Sequence, residues 1–199
     1  MKILAVIPCR SGSKSIKNKN IVKLFGHPLV AYTIRFAKKC KFISKIIIST
    51  DSQKYAKISK KYGCSPLFIR PKKISKDNSL DIDVFLHAIK WLKKKENFVP
   101  DYVINLRPTS PLRSISDLKK IIKILKKNSN IDSVRSISEC NFNLYKTWFI
   151  NSKRLLLNLT KNITKFKEPH NSPRQYLPKT YVQTAVYDVV KTDIILKQK

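Results

Sequence analysis

The sequence predicts an α/β fold with a mainly parallel sheet flanked by helices. Short apolar runs suited to buried strands alternate with longer segments whose apolar residues recur at helical spacing. The first apolar run, residues 2–7, ends at Pro8 and opens at once into a polar loop of small residues. The chain has 199 residues, 42% of them hydrophobic, enough for one core without disulfides or metals.

Residues 2–7 read as a buried parallel strand, followed by a loop to about Asn20. Pro28 to Lys41 carries Leu29, Val30, Thr33, Ile34 and Ala37 at helical spacing. Residues 45–50 predict a second strand. Residues 52–62 predict a helix capped by Asp51 and stopped by Gly63. A short third strand is expected at 66–69. Residues 80–95 form a helical pattern with Val84, Phe85, Ala88, Ile89 and Leu92 on one face, and 102–106 a fourth strand. An amphipathic helix over 114–127 turns Leu118, Ile121, Ile122 and Leu125 inward, with capping hydroxyls at Ser114 and Ser116. A fifth strand is expected at 133–138. Beyond it the pattern loosens, with strands at 142–150 and 181–190 around a polar segment that holds Pro169, Pro173 and Pro178. No linker divides the chain, so the expectation is one domain over 1–199 with a small β excursion at 139–187.

No stretch reaches the ~20 apolar residues of a membrane span, and the start is too short for a secretory signal. Cys9, Cys40, Cys64 and Cys140 have no pairing or metal spacing, which suits reduced thiols in the cytoplasm. Forty-two Lys and Arg against 12 Asp and Glu give a net charge of +30. The charge is mostly lysine, spread over the whole length alongside abundant Ile and Asn, so it reads as composition rather than a nucleic-acid site. Aromatics are not interleaved with arginine as single-strand binders require. Such a surface attracts polyanions nonspecifically at low salt and speeds the arrival of an anionic substrate.

Ligands of such sheets bind at the carboxyl ends of the strands, here the loops after Ile7, Thr50, Ile69 and Leu106. In the first loop, Arg10-Ser11-Gly12-Ser13-Lys14, backbone amides around Gly12 can wrap phosphate oxygens. Arg10 can bind phosphate in bidentate fashion, and Lys14 and Lys19 add point charges. Walker spacing is absent. A merely solvated basic loop is the competing reading. His27, His87 and His170 show no ligand spacing.

Ile7-Pro8-Cys9-Arg10-Ser11-Gly12-Ser13-Lys14 followed by Lys19-Asn20 resembles the opening motif of the acylneuraminate cytidylyltransferases. Ile48 to Ser52, Ile69-Arg70-Pro71 leading to Asp77, Ser79 and Asp81, and Leu106-Arg107-Pro108-Thr109-Ser110-Pro111-Leu112-Arg113 fall in the order that family shows. The likeness continues more weakly through Lys146 and residues 172–178 to Tyr187. The resemblance implies a Rossmann-like nucleotidyltransferase fold. It also implies transfer of CMP from CTP to an acidic nine-carbon sugar of sialic, legionaminic or pseudaminic type, for surface glycan synthesis. By motif position, Arg10, Lys14 and Lys19 would act on the triphosphate, and Arg10, Ser11, Gly12 and Ser13 would bind the nucleotide. Asn20, Arg70, Ser79 and Asp81 would read nucleotide. Arg107, Thr109, Ser110, Lys146, Arg174 and Gln175 would meet the sugar. The resemblance further implies Mg2+ and a cytoplasmic homodimer.

This chain departs from the family pattern in three places. Arg107 stands where many members have glutamine, which adds positive charge near the sugar. Thr184-Ala185 stands where members have Asn-Gly. The acidic Asp-x-Asp stretch that holds metal in the family has no counterpart before Lys199, as in a chain lacking the C-terminal end, so the metal ligands are unassigned. Two other readings stay open: a shortened relative that binds nucleotide with little turnover, and a basic nucleic-acid-binding protein.

Overall fold

The structure is a computed structural model that describes residues 1–160 and 167–197. Residues 161–166 of the expected excursion lie outside the described residues. The elements run β1 (Ile3–Pro8), β2 (Lys23–Leu24), β3 (His27–Pro28), α1 (Leu29–Lys39), β4 (Lys45–Ser49), α2 (Gln53–Lys61), α3 (Asp81–Glu96), β5 (Tyr102–Asn105), α4 (Ile115–Lys127), β6 (Ser133–Glu139), β7 (Trp148–Ile150), β8 (Leu156–Asn158), β9 (Tyr181–Lys191) and α5 (Thr192–Lys197). They fall into two compact units, residues 1–135 with 185–199, and residues 136–184.

The first unit is built on β1. Its odd residues Ile3, Ala5 and Ile7 pack with Val30, Ile34 and Ala37 of α1 and with Leu118, Ile121, Ile122 and Leu125 of α4. Its even residues Leu4 and Val6 pack with Val84, Phe85, Ala88, Ile89 and Leu92 of α3 and with Ile195 of α5. Alternate strand residues point to opposite faces, so an all-apolar strand needs helices on both sides. Full burial of each large aliphatic chain contributes about 1.5–3 kcal/mol.

The sheet order is β4-β1-β5-β9-β6. β1 runs parallel to both β4 and β5. β9 is antiparallel to β5 and sets Asp188 opposite Asn105. The mainly parallel α/β class holds.

Several local expectations do not. Residues 66–69 form no strand; only a parallel bridge joins Thr50 and Ile69. Prolines at 66 and 71 limit the ladder, and Leu67 and Ile69 stay largely exposed. Residues 142–147 are not strand either, because the Asn143 side chain accepts the Tyr145 N–H at 3.0 Å and starts a 3-10 turn at Leu144–Lys146. Ser52, not Asp51, caps α2, its hydroxyl accepting the Tyr55 N–H at 3.4 Å. Ser114 precedes α4 without a side-chain cap, and its hydroxyl pairs with that of Ser116.

The second unit holds the antiparallel β7–β8 hairpin. Phe149, Ile150, Leu155, Leu156 and Leu157 are exposed on it. Among the described residues no helix is long and apolar enough to cross a membrane.

Candidate functional site

Parallel strands β1, β4 and β5 end on one side of the sheet, and the loops after β1 and β5, with the segment that leads into α3, bound a cavity of about 170 Å³. Arg10, Lys19 and Asn20 line it from the first loop, Arg70, Lys76, Ser79 and Asp81 from the approach to α3, and Arg107 and Thr109 from the turn after β5. Three stretches far apart in sequence thus meet at one place.

The first loop is held from three sides. Asp51 accepts the Ser11 N–H at 2.8 Å and its hydroxyl at 3.0 Å. The buried Asn20 donates its amide to the Arg10 carbonyl at 2.9 Å. Arg10 donates Nη1 to the Gly12 carbonyl and to Asp77 Oδ1, each at 2.7 Å. Lys14 meets Asp77 Oδ2 at 2.8 Å. These hydrogen bonds hold the Asp77 carboxyl below its ordinary range and raise the Lys14 ammonium. Gly12 does not need glycine's freedom for the fold. Its φ is not positive, and an added Cβ would stand 3.7 Å from Arg10 Nη1, ordinary contact. The neighbouring Cys9 thiol is pushed up to about 12, chiefly by burial, and is inert as a nucleophile.

Arg70 arrives through the bridge to β4, where its N–H donates to the Thr50 carbonyl at 2.7 Å. The side chain is 4% exposed, yet Nε and Nη2 have no hydrogen-bond partner. Burial lowers its basicity, against the raising fields of Asp51 and Cys9. Buried donors are normally satisfied, so these two are an exception that the protein's own acceptors do not resolve.

Arg107 lies just past β5. It donates Nη1 to Asp188 Oδ2 at 2.5 Å and Nη2 to Asp81. Asn105 also donates to Asp81, at 3.0 Å. Arg135 stands 3.9 Å from the other Asp188 oxygen. The expected surplus charge at Arg107 is therefore cancelled within the protein. Arg113 forks behind this turn, donating to the Arg107 carbonyl at 2.6 Å, to Val186 at 3.1 Å and to the Thr33 hydroxyl at 3.2 Å. It is a scaffold residue rather than a surface arginine.

The cavity gathers Arg10, Lys19, Asn20, Arg70, Ser79, Asp81, Arg107 and Thr109. Ser11, Gly12, Ser13, Lys14 and Ser110 are not among its lining residues. The Ser79 hydroxyl accepts the Lys76 N–H at 2.9 Å and pins the turn before α3. Lys146, Arg174 and Gln175 belong to the second unit. There Lys146 donates to the His170 carbonyl at 3.0 Å and Arg174 to that of Asn141 at 2.7 Å. Arg174 and Gln175 border a separate cavity of about 220 Å³ within that unit. Sequence reasoning gave no role to Asp77 or Asp188 and took Asp51 for a cap. For Asp51 and Asp77 the one available signal was position beside a strand-end motif.

The donor set does not suit a protein-built metal centre. No cluster of three or more His, Cys, Asp or Glu is placed for one among the described residues, and Asp81 and Asp188 are both engaged by Arg107.

A cavity lined by Arg10, Lys19, Arg70 and Arg107 lies at the carboxyl ends of parallel strands, where open α/β sheets take their ligands. The chain belongs to the cytidylyltransferase family of nucleotidyltransferases, whose profile, described as Cytidylyltransferase, matches residues 4–192. It is 34% identical over 140 residues to the N-acylneuraminate cytidylyltransferase of Escherichia coli, covering 70% of this chain and 32% of that protein. It is 32% identical over 181 residues to a Helicobacter pylori protein named pseudaminic acid cytidylyltransferase and UDP-2,4-diacetamido-2,4,6-trideoxy-beta-L-altropyranose hydrolase, covering 91% and 33%. The chain thus spans about a third of the length of these relatives. A solved CMP:2-keto-3-deoxy-manno-octonic acid synthetase complexed with CTP shares the fold, with a TM-score of 0.69 at 15% identity over 99% of this chain and 77% of that one.

Proposed function

We propose that this chain transfers CMP from CTP to the anomeric hydroxyl of a nonulosonic acid and releases pyrophosphate. The observation that carries the reading is Arg70, a buried guanidinium whose Nε and Nη2 lack partners in a cavity shared with Arg10 and Lys19. Arg70 offers donors to the acceptor edge of cytosine. Arg10, Lys14 and Lys19 bind the phosphates and stabilise charge that grows on the leaving pyrophosphate. The sugar hydroxyl attacks the α-phosphorus as the bond to the β-phosphate oxygen breaks, and the hydroxyl proton leaves to solvent. Positioning supplies most of the rate. No described carboxylate set would hold magnesium, so a divalent ion would have to come with the nucleotide, where it would offset phosphate charge.

The acceptor class rests on the likeness to the sialic and pseudaminic acid enzymes. A cytoplasmic setting follows from the need for CTP, and surface glycan synthesis from the product class. A second copy of this chain is proposed to cover the exposed apolar hairpin of the second unit, which light scattering would report as a dimer.

The test is pyrophosphate release from CTP with sialic, legionaminic and pseudaminic acids, beside calorimetric CTP binding. Arg70→Met, Arg10→Ala and Lys14→Ala should each weaken CTP binding. Unchanged binding in all of them would remove the site.

A further inference from the structure

Arg10 Nη1 and Lys14 Nζ converge on the two oxygens of one carboxylate, Asp77, at 2.7 and 2.8 Å. A carboxylate with a cation on each oxygen has the spacing and charge sign of one edge of a phosphate group. The contact joins the first loop to a turn 67 residues onward in sequence. That turn is tied by the Lys76 N–H to Ser79 hydroxyl bond and by the Ser79 N–H to Lys76 carbonyl bond, and Lys76 and Ser79 themselves line the cavity. The pair is also open to water, with side-chain exposures of 41% for Asp77 and 86% for Lys14. Exposed ion pairs are weak, so a polyanion carrying several charges can displace this one.

We infer that Asp77 is an internal competitor for the phosphate cations, occupying Arg10 and Lys14 in the free protein and re-engaging them as pyrophosphate leaves. This rests on the assignment of Arg10 and Lys14 to phosphate. Asp77 sets how tightly the loop holds a diphosphate group. It keeps the two cations together when the site is empty, and it limits inhibition by the pyrophosphate product.

Inorganic pyrophosphate is the probe, titrated calorimetrically into the full chain at fixed ionic strength. Asp77→Asn keeps the shape and removes the charge, and should tighten pyrophosphate binding about three- to tenfold. Asp83→Asn makes the same charge change two residues into α3 and should leave binding unchanged. Arg10→Ala with Lys14→Ala should abolish it. If Asp77→Asn binds no tighter than the parent, or Asp83→Asn tightens binding equally, the competitor role is overturned while the phosphate site stands. If the parent binds pyrophosphate no better than the Arg10→Ala, Lys14→Ala chain, the phosphate assignment fails and the inference fails with it. Circular dichroism of each variant confirms that it is folded.

Discussion

Asp51 holds Ser11 twice, one carboxylate oxygen accepting the backbone N–H at 2.8 Å and the other the hydroxyl at 3.0 Å. The end of β4 thereby fixes the loop that follows β1. Asp51→Ala removes both acceptors and should cost about 1–3 kcal/mol of stability, as loss of a charge-assisted bond does. CTP affinity should fall about tenfold, and Ser11→Ala should lose less. Calorimetry with CTP decides, and parent-like affinity in Asp51→Ala would mean the loop needs no such anchor.

Arg70 should separate stability from binding. Its buried guanidinium lacks partners at Nε and Nη2, and such groups carry an unrecovered desolvation cost. Arg70→Met should hold or raise the stability of the free protein, by up to about 2 kcal/mol. The same change should remove the rise in melting temperature that CTP gives the parent. A variant both unstable and CTP-responsive would contradict this.

Arg113 should behave in the opposite way. Its guanidinium makes three bonds that tie the turn after β5 to α1 and β9, and burial lowers its pKa to about 10. Arg113→Ala should cost about 2–4 kcal/mol in urea unfolding. Arg113→Lys should recover little, because an ammonium cannot fork. The adjacent Leu112, 85% exposed, should tolerate alanine.

His87 should make stability fall with acid. Its ring packs on Phe68 with centroids 4.5 Å apart, and Nδ1 is buried without a partner. Burial lowers its pKa, and the Arg70 and Lys73 cations add to this. The unfolded chain then takes up a proton near pH ~6.5 that the folded chain takes up only at lower pH. This stability is therefore full above pH ~6.5 and declines below it toward the folded value. Urea midpoints at about pH 8 and 5 should differ less in His87→Phe than in the parent; an equal pH slope would clear His87.

Ala185 adopts a φ of 55°, the left-handed region that favours glycine. The strand keeps that conformation despite the side chain, at a cost of about 1–2 kcal/mol. Ala185→Gly should therefore stabilise by about 0.5–1 kcal/mol after the added chain entropy. A destabilised variant would show that the methyl group makes contacts worth more than the strain.

The sequence displayed β1, its loop and the helical faces because each is a local pattern. Ile3 to Ile7 is apolar on both faces, which only a strand between two helix layers satisfies. The run at 66–69 is similar but too short and proline-bounded to extend beyond the single bridge from Ile69 to Thr50. Asp51 was misread because it abuts a helix start, and adjacency favoured a cap over a partner 40 residues earlier. The charge at Arg107 was misjudged for a deeper reason. Its neutralisation by Asp188, 81 residues on, exists only because β9 runs antiparallel beside β5. No local window contains that fact.

The position of β9 also dictates an order of assembly. It comes last among the described strands yet lies between β5 and β6. During synthesis the β5 edge stays unpaired until residues 188–191 have left the ribosome, although β1, β4 and β5 can already pair. Such an open edge invites pairing with another nascent chain. The strand that closes it brings Asp188 to Arg107, so the cavity lacks that charge balance until β9 has paired with β5.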